Sequence, residues 1–336
     1  MKKILLLLTL FLLSNCDTEP EVFKANVHEG PKPWNKSTFD DSNDKFSFAV
    51  FSDLNGGERD KIFEIAASQL ALLRPEFIIS VGDLISGDSE DEEILLKEWN
   101  SFDKRAAQAL APVFYVGGNH DLTNKTMHDL WAKRYGPQYY YFIYKNILFL
   151  VLNTEDYSEK KSAELWQARS EYKLAKKNGD EVKASNMPYT RMPERIFGDI
   201  EKEQSDYLID VIKAHPEVHW TMIFMHKPVW LKEKEPEFLA IEEALSDRPY
   251  TLFNGHLHRY SHQIRKERDY IMLGTTGGAQ HPKNEMSFDH LTLVTVDKGE
   301  PSIVNLRMDG ILDKTGRIPL GGESLCFQFS KCRNNN

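Results

Sequence analysis

The chain has 336 residues, 41% of them apolar and 28% charged, with a formal net charge of −9. That length and composition suit a globular protein of one or two domains. The acidic balance, with no basic stripe, argues against a nucleic-acid partner, because such proteins need a cationic face to displace counterions.

Residues 1–16 read as an export signal rather than as part of the fold. Lys2 and Lys3 form a positive start, and Ile4 to Leu13 form an apolar run shorter than the about 20 residues that span a bilayer. The run reaches Leu13-Ser14-Asn15-Cys16, which resembles the lipobox of bacterial lipoproteins, although Asn15 departs from the usual small residue. The resemblance implies that Cys16 is the lipidation site, anchoring the mature chain to a membrane of the bacterial cell envelope, on its periplasmic or surface face. The alternative is an ordinary signal peptide with a coincidental Cys. Residues 17–44 are polar and read as a tether and irregular lead-in. Cys326 and Cys332 remain, in a C-terminal tail over 311–336. They form either a disulfide across a short loop, as an exported protein allows, or two free thiols.

The main domain is expected over 45–310. Residues 46–52 form the first strand, followed by Asp53-Leu54-Asn55-Gly56-Gly57 and an amphipathic helix from Arg59 to Leu73. Phe77 to Val81 is the next buried strand and ends in Gly82-Asp83. An acidic helix from Glu90 to about Leu110 leads to a third buried strand, Pro112 to Val116, and then to Gly117-Gly118-Asn119-His120-Asp121. Strand, polar loop and helix thus recur, the signature of a parallel sheet. Tyr139 to Tyr144 and Ile147 to Asn153 flank Lys145-Asn146 as a tight hairpin, so the sheet carries antiparallel strands too.

Residues 157–196 interrupt this rhythm with a Lys-, Glu- and Arg-rich segment. It reads first as a solvated surface insertion and second as a cap over a pocket for an anionic substrate. Afterwards come a helix from Ile200 to Ala214, a strand from Val218 to Phe224 ending in His226, and a helix from Glu235 to Leu245. Tyr250 to Phe253 then leads into Gly255-His256-Leu257-His258. Tyr270 to Leu273 precedes a Gly-rich turn, and His290 to Val296 with Ser302 to Leu306 alternate as antiparallel strands. The Gly-rich turn is not a P-loop, and there is no nucleophile elbow.

Side by side, the strand ends deliver Asp53 with Asn55, Asp83, Asn119 with His120 and Asp121, His226, and His256 with His258. Residues two apart in extended chain point to one side, so Asp53 and Asn55 can share a target, as can His256 and His258. Oxygen and imidazole donors without thiolate suit Mn, Fe, Zn, Co or Ni rather than Ca. His28, His128, His215, His219, His262 and His290 read as surface or packing residues. His281 either borders the pocket or lies on a surface loop.

These motifs, in this order, resemble the calcineurin-like metallophosphoesterase superfamily, whose pattern is Asp-x-His, Gly-Asp, Gly-Asn-His-Asp/Glu, His and Gly-His-x-His. Here it stands as Asp53-Leu54-Asn55, Gly82-Asp83, Gly118-Asn119-His120-Asp121, His226 and Gly255-His256-Leu257-His258, over roughly 46–306. The resemblance implies an α/β fold of two mixed β-sheets packed face to face and flanked by helices, a four-layer αββα sandwich. It also implies two divalent metal ions, Mn, Fe or Zn, with Asp83 bridging. Asp53 and His258 would hold the first, with Asn55 beside them, and Asn119, His226 and His256 the second. A metal-activated hydroxide would attack a phosphate ester in line. His120 would neutralise charge or protonate the leaving oxygen, and Asp121 would orient His120. The implied partner is a phosphorylated small molecule or other phosphoester, with monoester and diester both open. Asn55 stands where the family has His, and an amide oxygen is the weaker donor. The first position is therefore expected to be weak, and a non-catalytic metal-binding lipoprotein is the competing reading.

Overall fold

Strand β1, Phe46–Phe51, sends its side chains two ways. Phe46, Phe48 and Val50 enter one buried cluster, Ala49 and Phe51 another. A strand with both faces apolar is stable only inside a layered fold. The computed structural model describes residues 43–332. The proposed signal 1–16, its Cys16 and all but the end of 17–44 lie outside the described residues.

After β1 come helix α1 (Ile62–Leu73), β2 (Phe77–Ser80), α2 (Glu92–Ala106), β3 (Val113–Phe114) and α3 (Lys125–Tyr135). Asp91 caps α2 by accepting from the backbone N–H groups of Glu93 and Ile94, and Asn124 caps α3 through that of Met127. The hairpin β4 (Tyr140–Tyr144) and β5 (Ile147–Val151) follows, then α4 (Glu159–Lys177), α5 (Glu181–Asn186), α6 (Glu194–Phe197) and α7 (Lys202–Ala214). The chain continues with β6 (Trp220–Phe224), α8 (Pro236–Ala244), β7 (Tyr250–Asn254), β8 (Ser261–Arg265), β9 (Arg268–Met272), β10 (His290–Asp297), β11 (Glu300–Arg307) and α9 (Phe329–Cys332).

Two mixed sheets result, in the orders β11-β10-β1-β2-β3 and β4-β5-β6-β7-β9-β8. Phe48, Phe77, Phe149, Phe224 and Phe253 meet between the sheets. Helices α1, α2 and α3 cover the outer face of the first sheet, and α7 and α8 that of the second. This is the expected four-layer sandwich. Emptying one such ring position, as in Phe149→Ala, should cost about 3–5 kcal/mol. Among the described residues no helix is long and apolar enough to cross a membrane.

Three local expectations are corrected. The third strand, expected to be buried over Pro112 to Val116, is only Val113–Phe114 and half-buried, because it is a sheet edge paired with β2 alone. The segment 157–196 is not merely a solvated insertion. Its helix α4 buries Leu165, Arg169 and Ala175, and it roofs the carboxyl ends of the strands. Residues 311–332 are not a loose tail but pack on the domain, with Ile318 and Phe327 in the core around α1. Of the two states left open for Cys326 and Cys332, the structure has the disulfide.

Candidate metal centre

Every candidate residue sits just past the carboxyl end of a strand, where parallel strands leave unpaired backbone and open space. The turns are tight. Asp83, His256 and His258 take φ values of 60°, 75° and 49°, in a region non-glycine residues rarely adopt. Gly82 and Gly118 make room for them. A Cβ at Gly82 would lie 2.7 Å from His226 Nδ1, and one at Gly118 would lie 2.4 Å from Asp83 Oδ1. Asp53 accepts from the backbone N–H of His256 at 3.0 Å and also from the Ser52 hydroxyl.

Two groups of donors share Asp83: Asp83 with His226 and His256, and Asp53 with Asp83 and His258, each with its donor atoms within 4.8 Å of one another. His226 gives its Nδ1 proton to the Val81 carbonyl at 2.8 Å, and His256 gives its Nε2 proton to the Arg195 carbonyl at 2.8 Å. The remaining nitrogens therefore point lone pairs inward. His226 Nε2 lies 3.3 Å from Asp83 Oδ1, 3.3 Å from Asn119 Oδ1 and 3.2 Å from His256 Nδ1. In the other group His258 gives Nδ1–H to Ala279 at 2.5 Å and turns Nε2 to within 3.4 Å of Asp53 Oδ1. Lone pairs crowded this way repel unless a metal ion, or in its place a proton on His226 or the turned amide of Asn119, sits among them. The residues present therefore fit two divalent ions, with Asp83 between.

The electrostatics agree. Burial alone would push Asp83 up, but the imidazoles of His226 and His120 hold its carboxyl well below the ordinary range. Burial likewise opposes charging of His226, yet the Asp83 carboxylate wins and lifts the ring to about 9. Burial, and then His226 and Lys227, keep His256 neutral and able to donate its lone pair. The pocket draws positive charge to itself.

The spacing rule fails locally, because the chain bends at Leu54 and again through 256–259. His256 and His258 both reach the centre, but in different donor groups. Asn55 does not share a target with Asp53. Its Oδ1 accepts from Ser86 Oγ at 3.1 Å and its Nδ2 reaches the Leu84 carbonyl at 3.4 Å.

Asp121 does not orient His120. Its carboxylate accepts from the backbone N–H groups of Asp83, Leu84, Ile85 and Gly118, at 2.8 to 3.1 Å, and so folds the loop that carries Asp83. Burial and the Asp83 charge push it up against the pull of those donors. His120 is oriented instead by the Ser86 carbonyl, 2.7 Å from Nδ1. A carbonyl only accepts, so Nδ1 carries the proton and Nε2 accepts from Arg169 Nη2 at 3.3 Å. Burial lowers the ring's pKa, and Arg169 adds to this against the pull of Asp83 and Asp88.

Arg169 is 7% exposed, ion-paired to Asp88, and donates to the Tyr189 hydroxyl at 2.7 Å. With Arg195 it brings the cap to the centre, and His281 lines the same cavity. Sequence reasoning missed Ser86, Asp88, Arg169, Tyr189 and Arg195. The excess of Lys and Arg across 157–196 was the one available signal.

The calcineurin-like phosphoesterase family model matches residues 46–260. Among solved structures, the chain is similar to a dimetal phosphatase from Danio rerio, with a TM-score of 0.56 at 14% identity, covering 78% of this chain and 96% of that one. It is also similar to PhoD, with a TM-score of 0.49 at 11% identity, covering 78% and 68%. A third is the purple acid phosphatase PPD1 from yellow lupin (Lupinus luteus), with a TM-score of 0.47 at 11% identity, covering 78% and 51%. No curated protein sequence matches.

Proposed function

The chain belongs to the calcineurin-like phosphoesterase family, and on that premise we propose that it hydrolyses a phosphate ester at a dinuclear metal centre. The carrying observation is the pair of donor groups that share Asp83, with imidazole lone pairs turned inward. Asp53, Asp83 and His258 would hold one divalent ion, and Asp83, Asn119, His226 and His256 the other. When bound, the ions supply Lewis-acid chemistry toward a phosphoryl oxygen and water.

The chain's own residues do the rest. Arg169, fixed by Asp88 and Tyr189, supplies a positive charge that needs no protonation step. His120 Nε2 faces the same space and is the atom at which a proton is taken up and passed to the leaving oxygen. Asp121 keeps the Asp83 turn rigid, and the cap sets Arg169 and Arg195 on the wall of the cavity above the centre. A non-catalytic metal-binding role is the second reading, favoured by Asn55 being spent on Ser86. Purified protein loaded with Mn, Zn or Fe should release 4-nitrophenol from its phosphate monoester or from the bis(4-nitrophenyl) diester. Two bound ions without turnover on either would favour the second reading.

We also propose that the protein works as a lipid-anchored protein of the cell envelope, attached through Cys16. The Cys326–Cys332 disulfide supports an oxidising compartment. Cys16→Ser should release the protein from the membrane fraction, and unchanged fractionation would refute the anchor.

A further inference from the structure

The cap brings more positive charge to the cavity than the cap itself neutralises. Arg169, Lys173 and Arg195 all line the space above the two donor groups. Arg169 and Lys173 share one carboxylate, Asp88. The neighbouring Lys161 and Lys227 already hold Glu194 and Glu155. Among the described residues Arg195 has no carboxylate partner. The one carboxylate lining this cavity is Asp83, which faces the imidazoles.

Arg195 is nevertheless held in place. Its carbonyl receives the His256 Nε2 proton at 2.8 Å, and its guanidinium lies 5.9 Å from the centre of the Tyr189 ring. Tyr172 packs beside that ring, with centroids 5.3 Å apart. With two divalent ions held below it, an unpaired guanidinium on the pocket wall adds to the positive potential, and a ligand that brings a second negative charge relieves it. The reacting phosphate would be met by the ions, Arg169 and His120. Arg195 is then left for a second anion, and the two tyrosines offer an aromatic wall beside it.

We propose, building on the hydrolase reading above, that the site selects phosphate esters whose leaving group is planar and carries a second anionic group, and that Arg195 reads that group. The second anion is a carboxylate or a phosphate. Because the side chain is already ordered on Tyr189, binding the anion costs little further entropy.

The test uses the full metal-loaded protein and three matched esters: phenyl phosphate, 4-carboxyphenyl phosphate and benzene-1,4-diyl bisphosphate. The wild type should show a kcat/KM higher by about tenfold or more for one or both anionic esters, expressed in KM. Which of the two gains identifies the anion. Arg195→Ala should level the esters, Arg195→Lys should keep part of the preference, and the metal content of both variants should match the wild type. Equal use of all three esters by the wild type, or an undiminished preference in Arg195→Ala, would overturn the inference. Should no ester be turned over, the hydrolase reading falls. Calorimetry with 4-carboxyphenylphosphonate against phenylphosphonate still decides the inference: tighter binding of the first, lost in Arg195→Ala, supports it, and equal affinities overturn it.

Discussion

Asn55 holds Ser86: its Oδ1 accepts from the Ser86 hydroxyl at 3.1 Å, while the Ser86 carbonyl accepts the Nδ1 proton of His120 at 2.7 Å. The residue at the family's histidine position is thus a positioning residue for His120. Asn55→Ala should lower kcat by about tenfold, the scale of one lost hydrogen bond, and leave metal stoichiometry unchanged. Asn55→His should gain no metal affinity, because the ring would displace Ser86. With three protein donors at Asp53, Asp83 and His258 against four at Asp83, Asn119, His226 and His256, calorimetric titration should resolve a weak and a tight step in the wild type. A tighter weak step in Asn55→His would show that the side chain can turn to the ion.

His120→Ala should slow turnover by about 10²–10⁴, the contribution of a positioned proton carrier. The ring donates to Ser86 and accepts from Arg169, and neither of its nitrogens belongs to the two donor groups. Metal content, read by elemental analysis, should therefore stay at the wild-type value. A variant that lost both ions would place His120 in the metal shell instead.

Most donor residues were legible because they follow a buried strand that reads as a short apolar run: Phe46–Phe51 before Asp53, Phe77–Ser80 before Asp83, Trp220–Phe224 before His226. What those residues touch was less legible. The alternation rule holds in extended chain, and Asn55 lies beyond a bend, where turn geometry aims it at Ser86. Asp121 looked like a partner for the histidine beside it, but the loop folds its carboxylate onto four backbone N–H groups. Arg169 was invisible for another reason. Helix α4 has no apolar stripe, and the residue is buried by a distant ion pair with Asp88 rather than by periodicity. Strand β8, Ser261–Arg265, is a polar sheet edge, with side chains no pattern separates from a loop.

His290 predicts an acid step in stability that is separate from the carboxylates. Its Nε2 accepts from the Gly274 N–H at 2.9 Å, its Nδ1 has no partner among the described residues, and burial drops the ring from 6.5 to about 4. The folded state resists protonation, so this stability is fully present above pH 6.5 and is lost as pH falls toward 4. The gap corresponds to about 3 kcal/mol. Urea unfolding at pH 7.5 and 4.5 should show a smaller loss in His290→Gln, which keeps an acceptor for Gly274 but does not titrate. Equal losses in the two proteins would remove His290 as the source.

Asp88 latches the cap to the body of the domain. Asp88 receives Arg169 through two nitrogens, one bond being 3.1 Å, and Lys173 at 2.8 Å. Burial would raise its carboxyl, but Arg169 outweighs that and brings it from 3.8 to about 2. A depressed acid stabilises the fold above its unfolded value, so the contribution, about 2 kcal/mol, is intact above pH 4 and is lost as pH falls toward 2. Asp88→Asn removes the counter-charge at every pH and leaves Arg169 buried with only Tyr189 and His120. Breaking one side of a buried pair costs about 3–5 kcal/mol, and here that cost falls on cap closure. The exposed link Asn178-Gly179-Asp180 between α4 and α5 should then be cut faster by a protease at pH 7, and KM should rise while metal content stays unchanged. Wild-type protection should hold from pH 7 to 4 and weaken below 4, a step that Asp88→Asn should lack. A variant as protease-resistant as the wild type, with the same KM, would mean that the cap is closed by its apolar contacts and not by this ion pair.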